Sequence, residues 1–330
     1  MLDRDGRPVL LAVGGDSGSG KTTIARGLYH LFGRENVLSI CLDDYHKLDR
    51  RQRQQAGVTA LNPAANDIAL MEEHIWALRE GRAVRKPVYD HSTGTFGTPQ
   101  TVQPKPWIVV RGLFPLFSER LRQAFDVRVW LDPEDELKYH WKVQRDVAQR
   151  GYTLEQVIRH IVERQDDLRR YILPQREHAD VVVRFYTPPG YFQAIKEGRT
   201  NGSLPQLPVK VSLKPSAPAP GVAEMVAAPA VHLTREGAGE QLVLEIDGAI
   251  PTEQAQRAQH RLLSLLSLAD GPSEELGLFL ADGREARRSW TLTLAQLIIA
   301  CQMAAVRDGL QAAALQPGGR RSRAGAAAEG

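Results

Sequence analysis

The stretch Gly15-Asp16-Ser17-Gly18-Ser19-Gly20-Lys21-Thr22 decides the fold. It fits the phosphate-binding loop pattern of Gly, four residues, Gly, Lys and Ser or Thr. On its N-terminal side, Val9-Leu10-Leu11-Ala12-Val13 reads as a buried strand. On its C-terminal side, residues 23–32 carry apolar side chains at three- and four-residue spacing, as a helix does. Strand, glycine loop and helix are the setting this motif needs. The glycines let successive backbone N–H groups converge on a polyphosphate, and the helix N-terminus adds positive potential. Residues Gly15 to Thr23 are therefore the expected nucleotide-binding segment. Lys21 would reach the β- and γ-phosphates, and the Thr22 hydroxyl would ligate Mg²⁺. The competing reading is a glycine turn with no ligand, and the flanking strand and helix weigh against it.

Further strands are expected at 37–41, 107–110, 127–131 and 180–185. Helical patterns fall at 67–80, 116–124, 134–149 and 153–171. Alternating strands and helices imply an α/β fold, a mostly parallel sheet flanked by helices. The chain divides into an α/β domain over 1–190, an irregular connection over 191–240 rich in proline, and a smaller C-terminal α+β extension over 241–315. In the extension, 242–246 and 277–280 read as strands, 252–267 as a helix, and 289–308 as strand then helix. The tail over 316–330 reads as disordered, being rich in Gly, Ala and Arg.

Composition narrows the function classes. The chain of 330 residues is 42% hydrophobic and 25% charged, with a formal charge of only +3. That balance does not suggest a nucleic-acid binder. Two cysteines, Cys41 and Cys301, make a disulfide framework an unsuitable reading and favour a reducing cytoplasm. A core strand within ten residues of the start leaves no room for a signal peptide, and no apolar run nears the ~20 residues of a membrane span.

Three further clusters carry chemistry. Cys41-Leu42-Asp43-Asp44-Tyr45-His46-Lys47-Leu48-Asp49-Arg50 begins where the second strand ends, at the sheet edge that holds ligands in open α/β folds. Of its paired carboxylates, one could take a proton from an attacking hydroxyl while the other orients water or metal; capping a loop is the alternative. Lys142, Arg145 and Asp146 share one helix face, with Arg150 near its end before Gly151. That group suits phosphate and a transferring phosphoryl group, or else a solvated helix end. Lys86-Pro87-Val88-Tyr89-Asp90-His91-Ser92-Thr93-Gly94 is a turn-rich loop with an aromatic residue and a histidine.

With these pieces in order, the chain resembles the phosphoribulokinases of the uridine kinase branch of P-loop kinases, most closely the plant and cyanobacterial type. The resemblance rests on ICLDDYHKLDR (40–50), VTALNPAAND (58–67), KPVYDHSTG (86–94), WKVQRDVAQRGYTLE (141–155) and YILPQREHADVVV (171–183). It is strong over about 8–185 and weaker over 240–310. It implies the P-loop kinase fold, ATP and Mg²⁺, and transfer of the γ-phosphate to O1 of D-ribulose 5-phosphate, giving ribulose 1,5-bisphosphate in the Calvin cycle. It further implies Asp43 as general base and metal-associated group. His46 and Arg50 would contact the sugar phosphate, and Tyr89 and His91 would line the sugar site. Lys142 and Arg145 would meet the transferring phosphoryl group, with Asp146 beside them and Arg150 on the substrate phosphate. Asp44 has no settled role.

Two departures stand out. Val110-Arg111-Gly112-Leu113-Phe114-Pro115 replaces the family's Glu-Gly-Leu-His-Pro, so Arg111 stands where a Mg²⁺-associated acid is expected. Arg111 either weakens metal binding, unless Asp16, Asp43 or Asp44 compensates, or lies on the phosphates as an internal arginine finger. Ser19 replaces the loop cysteine that, in plant-type relatives, pairs with the one at position 41; that regulatory disulfide cannot form. Besides a phosphoribulokinase, the residues allow a related sugar or nucleoside kinase, or a catalytically weak nucleotide-binding paralogue with a regulatory role. The resemblance also implies a homodimer, with 242–246 as a pairing edge, and a Calvin-cycle dehydrogenase complex as partner, without nucleic acid or membrane.

Overall fold

The computed structural model describes residues 7–199, 206–237, 241–268, 274–281 and 285–308. Strands Val9–Gly15 (β1), Val37–Cys41 (β2), Trp107–Gly112 (β3), Val127–Leu131 (β4) and Val181–Phe185 (β5) are all parallel, in the order β2-β3-β1-β4-β5. β1 is buried along its whole length, as an unbroken apolar strand with a parallel neighbour on each side must be. Three antiparallel strands continue the sheet: Val209–Leu213 (β6), Val231–Glu236 (β7) and Gln241–Ile246 (β8), in the order β5-β6-β8-β7.

Helices cover both faces. They are Lys21–Phe32 (α1), Arg50–Ala56 (α2), Ile68–Arg79 (α3), Glu119–Ala124 (α4), Asp135–Arg150 (α5), Leu154–Glu163 (α6), Thr252–Leu265 (α7) and Trp290–Asp308 (α8). The period-two alternation of β1 divides the core between them. Val9, Leu11 and Val13 join Ile24 and Leu28 of α1 and Leu297 and Ile298 of α8. Leu10 and Ala12 join Met71, Ile75 and Leu78 of α3 on the other face. Buried Gln296 ties α8 to the helix after the phosphate loop: its Nε2 donates to the Thr23 carbonyl at 3.0 Å and its Oε1 accepts from the Gly277 amide at 2.9 Å.

The expected α/β P-loop kinase architecture, with a sheet-extending C-terminal part, is the one observed. The connection at 191–240 differs from expectation, because β6 lies inside it and sits between β5 and β8. Val209, Val211 and Leu213 are buried while Lys210 and Ser212 are not, a strand alternation hidden by prolines that lie outside the strand at both ends. The edge also differs: β7, exposed except at Val231, is outermost, and 242–246 is interior. Residues 290–308 are all helix, preceded by a strand at Glu285–Arg288. The expected helix at 116–124 starts only at Glu119, where the Ser118 side chain accepts from the Leu121 amide. The expected helix at 153–171 breaks at Arg164. α8 is long and apolar enough to cross a membrane, but 83% of that stretch is buried inside the protein, as in a core helix. The tail at 316–330 lies outside the described residues.

Candidate active site

The carboxyl ends of β1, β2, β3 and β4 open onto a cleft of about 1160 Å³. The phosphate loop forms its floor. Gly18 and Gly20 have φ of +90° and +91°, which only glycine adopts freely. A side chain at Gly18 would strike Lys138 and Lys142 of α5 at 3.0 Å, whereas Gly20 faces open space. The loop is therefore packed against α5 on one side and open on the other, which fits an incoming phosphate at the start of α1. Lys21 folds back, its Nζ donating to the Gly15 and Asp16 carbonyls at 2.8 and 2.7 Å. Burial pushes its pKa down to about 8 against the pull of Asp43 and Asp16.

After β2 the chain makes a single 3₁₀ turn, Leu42–Tyr45, which sends the adjacent carboxylates opposite ways. Asp43 faces the cleft, with His91 Nε2 3.2 Å from its Oδ2. Burial opposes its charge, but the His91 hydrogen bond and the fields of His46, His91 and Lys21 prevail. They hold the carboxyl well below the usual carboxylate range. Asp44 turns inward, pairing with Lys86 Nζ at 2.6 Å and accepting from the Tyr89 amide at 2.9 Å. It ties the loop at 86–94 to the sheet and does not line the cleft.

That tie positions an aromatic wall. His46 and Tyr89 meet edge to face at 4.8 Å between ring centres, and Tyr89 and His91 at 5.2 Å. His46 Nδ1 lies 2.7 Å from Asn66 Oδ1, and burial lowers the imidazole's pKa. Arg50 donates to the His91 carbonyl at 2.6 Å and lies over the Tyr152 ring. Arg53, which sequence reasoning missed, donates to the Tyr89 hydroxyl at 2.8 Å; its signal was the three-residue spacing from Arg50 on one helix.

α5 forms the opposite wall. Buried Asp146 gathers three cations: Lys142 at 2.5 Å, Arg145 at 2.8 Å and Arg150 at 3.4 Å. Arg145 also donates to Ser17 Oγ at 3.0 Å, joining this wall to the phosphate loop. Burial and the neighbouring Arg164 push the Lys142 pKa down to about 8, against Asp146. Arg164, the second residue missed, is buried where α6 breaks and pairs with Asp16. No spacing pattern marks it, since its partner comes from the other end of the domain.

Most of the residues expected at the site therefore meet in one cleft: Ser17 to Thr23, Asp43, His46, Arg50, Tyr89, His91, Arg111, Lys142, Arg145, Asp146 and Arg150. Gly15, Asp16 and Asp44 lie behind its surface. Asp16 cannot compensate for a missing metal ligand, because Arg164 and Lys138 already engage it. Arg111 Nη1 is 3.4 Å from Thr22 Oγ1 and 3.5 Å from Cys41 Sγ. Phe114, in place of a histidine, is buried core against Phe117. Among the described residues, no group of three or more His, Cys, Asp or Glu could hold a metal alone.

Comparison with known proteins shows the chain's family and fold. The sequence profile of the Phosphoribulokinase / Uridine kinase family matches residues 10–187. The chain is 49% identical over 178 residues to a phosphoribulokinase of Synechocystis sp., covering 54% of each chain. It is 40% identical to the chloroplastic phosphoribulokinase of Spinacia oleracea over 53% of this chain and 48% of that one. It is 33% identical to a uridine kinase of Halalkalibacterium halodurans, over 54% of this chain and 86% of that one. It thus spans about half the length of the curated phosphoribulokinases it matches. Its fold superposes on phosphoribulokinase from Rhodobacter spheroides with a TM-score of 0.57 at 20% identity, covering 80% of this chain and 96% of that one. With the phosphate loop, the cleft and the matched residues in agreement, the chain belongs to the phosphoribulokinase / uridine kinase family of kinases.

Proposed function

We propose that this protein transfers the γ-phosphoryl group of ATP to a hydroxyl of D-ribulose 5-phosphate. The observation that carries this reading is one ionised carboxylate, Asp43, set between two cationic walls. Asp43 accepts the proton of the attacking hydroxyl. His91, His46 and Tyr89 orient the sugar. Arg50, Arg53 and Arg150 hold its phosphate, a task a nucleoside acceptor does not require. Lys21 binds the β- and γ-phosphates, and Lys142 and Arg145 neutralise charge on the phosphoryl group in flight. Asp146 contacts no substrate in this scheme; it positions those cations.

Thr22 and Asp43 are the protein oxygens suited to Mg²⁺, a donor pair that fits an ion held mainly by phosphate and water. Bound there, Mg²⁺ would neutralise charge on the phosphate oxygens.

The exposed strand β7 is the natural surface for a homodimer, through sheet pairing about a two-fold axis.

The test is ADP release from ATP with Mg²⁺, comparing ribulose 5-phosphate, uridine and no acceptor. Turnover confined to ribulose 5-phosphate supports the reading. Turnover with uridine alone, or none with any acceptor, overturns it.

A further inference from the structure

We propose that Arg111 is a ligand of the nucleotide triphosphate and supplies part of the charge neutralisation that a divalent cation provides elsewhere. Triphosphate binding here then survives removal of the metal. This rests on the nucleotide-site reading above and deepens it.

Strand register fixes the backbone of Arg111 at the cleft mouth, paired with Val13 of β1 on one side and Cys41 of β2 on the other. A guanidinium carries five N–H donors. Among the described residues, this one makes two long contacts, 3.4 Å to Thr22 Oγ1 and 3.5 Å to Cys41 Sγ. Among the described residues, no carboxylate lies within ion-pair distance of it. Of the other cations nearby, Lys142, Arg145 and Arg150 share Asp146 and Arg164 pairs with Asp16, while Lys21, Arg50 and Arg53 make short bonds to carbonyl or hydroxyl oxygens.

Thr22 lies in the first turn of α1, whose amides have no side-chain cap, and a side chain at Gly20 beside it would meet open space. An anion held by those amides lies within reach of the group that contacts Thr22. The guanidinium's fixed charge also weakens the hold of Thr22 and Asp43 on a dication, so more of the phosphate charge falls to the protein's own cations. Both considerations favour phosphate oxygens as the missing partners of Arg111.

The experiment is calorimetric titration of the full chain with ATP, in excess EDTA and in excess Mg²⁺, for wild type, Arg111→Gln and Arg111→Lys. Urea unfolding midpoints confirm that each variant is folded. The wild type should bind ATP in EDTA. Arg111→Gln should weaken that binding about tenfold or more and weaken binding with Mg²⁺ by a clearly smaller factor, and Arg111→Lys should recover part of the loss. Wild-type binding only with Mg²⁺ overturns this inference alone, as does an Arg111→Gln variant that binds normally in EDTA. No binding in either condition overturns the nucleotide-site reading, and this inference with it.

Discussion

Asp16 in the phosphate loop and Arg164 at the break after α6 form a buried ion pair across 148 residues of sequence. The Ser17 amide donates to the same Asp16 oxygen at 2.5 Å, and Lys138 lies 3.5 Å from the other. The conformation of the loop therefore depends on a distant segment. Arg164→Met leaves a buried carboxylate short of a partner and should lower unfolding free energy by about 3 kcal/mol. Adding Asp16→Asn should recover much of that loss, which a double-mutant cycle in urea reads directly. An unchanged midpoint in the single variant would remove the pair from any account of loop stability.

The cationic wall titrates unusually low. Lys21 and Lys142 both have pKa values pushed down to about 8 by burial. Under the proposed reaction, kcat/KM should fall above pH 8, with a limiting log–log slope of about −2 when both protons are required. Lys142→Arg removes one titration and should reduce that slope to about −1. Stability runs the other way. Between the folded value of about 8 and the unfolded value of 10.5, the unfolded lysines hold protons that the folded ones have lost. Unfolding free energy therefore rises with pH across that window. A single-slope profile in the wild type would mean that only one lysine matters.

Asp43 should behave as a base that is always ionised. Its carboxyl lies below the usual range, so it adds no acid limb near neutral pH. Its contribution to stability is present above the unfolded value of 3.8 and is lost as pH falls through the lower folded value. Asp43→Asn should cut kcat by roughly 10²- to 10⁴-fold with affinity for metal-free ATP nearly unchanged. Equal losses in kcat and ATP affinity would instead assign Asp43 to nucleotide binding.

Oxidants should have little effect. Residue 19 is a serine, and both cysteines are free. Burial and the nearby Asp43 push the Cys41 thiol up to about 11, and burial pushes Cys301 up to about 12, so neither forms much thiolate at pH 7. Activity should be the same after diamide as after dithiothreitol, and iodoacetamide should label the folded protein slowly. A dithiothreitol-reversible loss that disappears in Cys41→Ser would contradict this.

Some of the molecule is written locally. The phosphate loop, its strand and its helix are contiguous, and the glycines, lysine and threonine act through backbone geometry within a few residues. Lys142, Arg145 and Asp146 share a face because helical periodicity puts them there. The central parallel strands β1 and β3 reveal themselves as apolar runs because both their faces are buried. β6 escaped because its short alternation lies between prolines, and the break at Arg164 because α6 continues into further helical turns.

The sequence by itself determined the phosphate loop, the five parallel strands and the helical cluster on α5, because short-range periodicity and backbone freedom encode them. Tertiary structure alone decided which of two adjacent carboxylates faces the cleft. Lys86, from a separate strand, neutralises Asp44 and leaves Asp43 for chemistry. Tertiary structure likewise set Arg164 against Asp16, placed Arg111 beside Thr22 and Cys41, and covered strand 242–246 with β7. Each of these outcomes depends on charges or backbone edges meeting across long sequence separations, which no local pattern specifies.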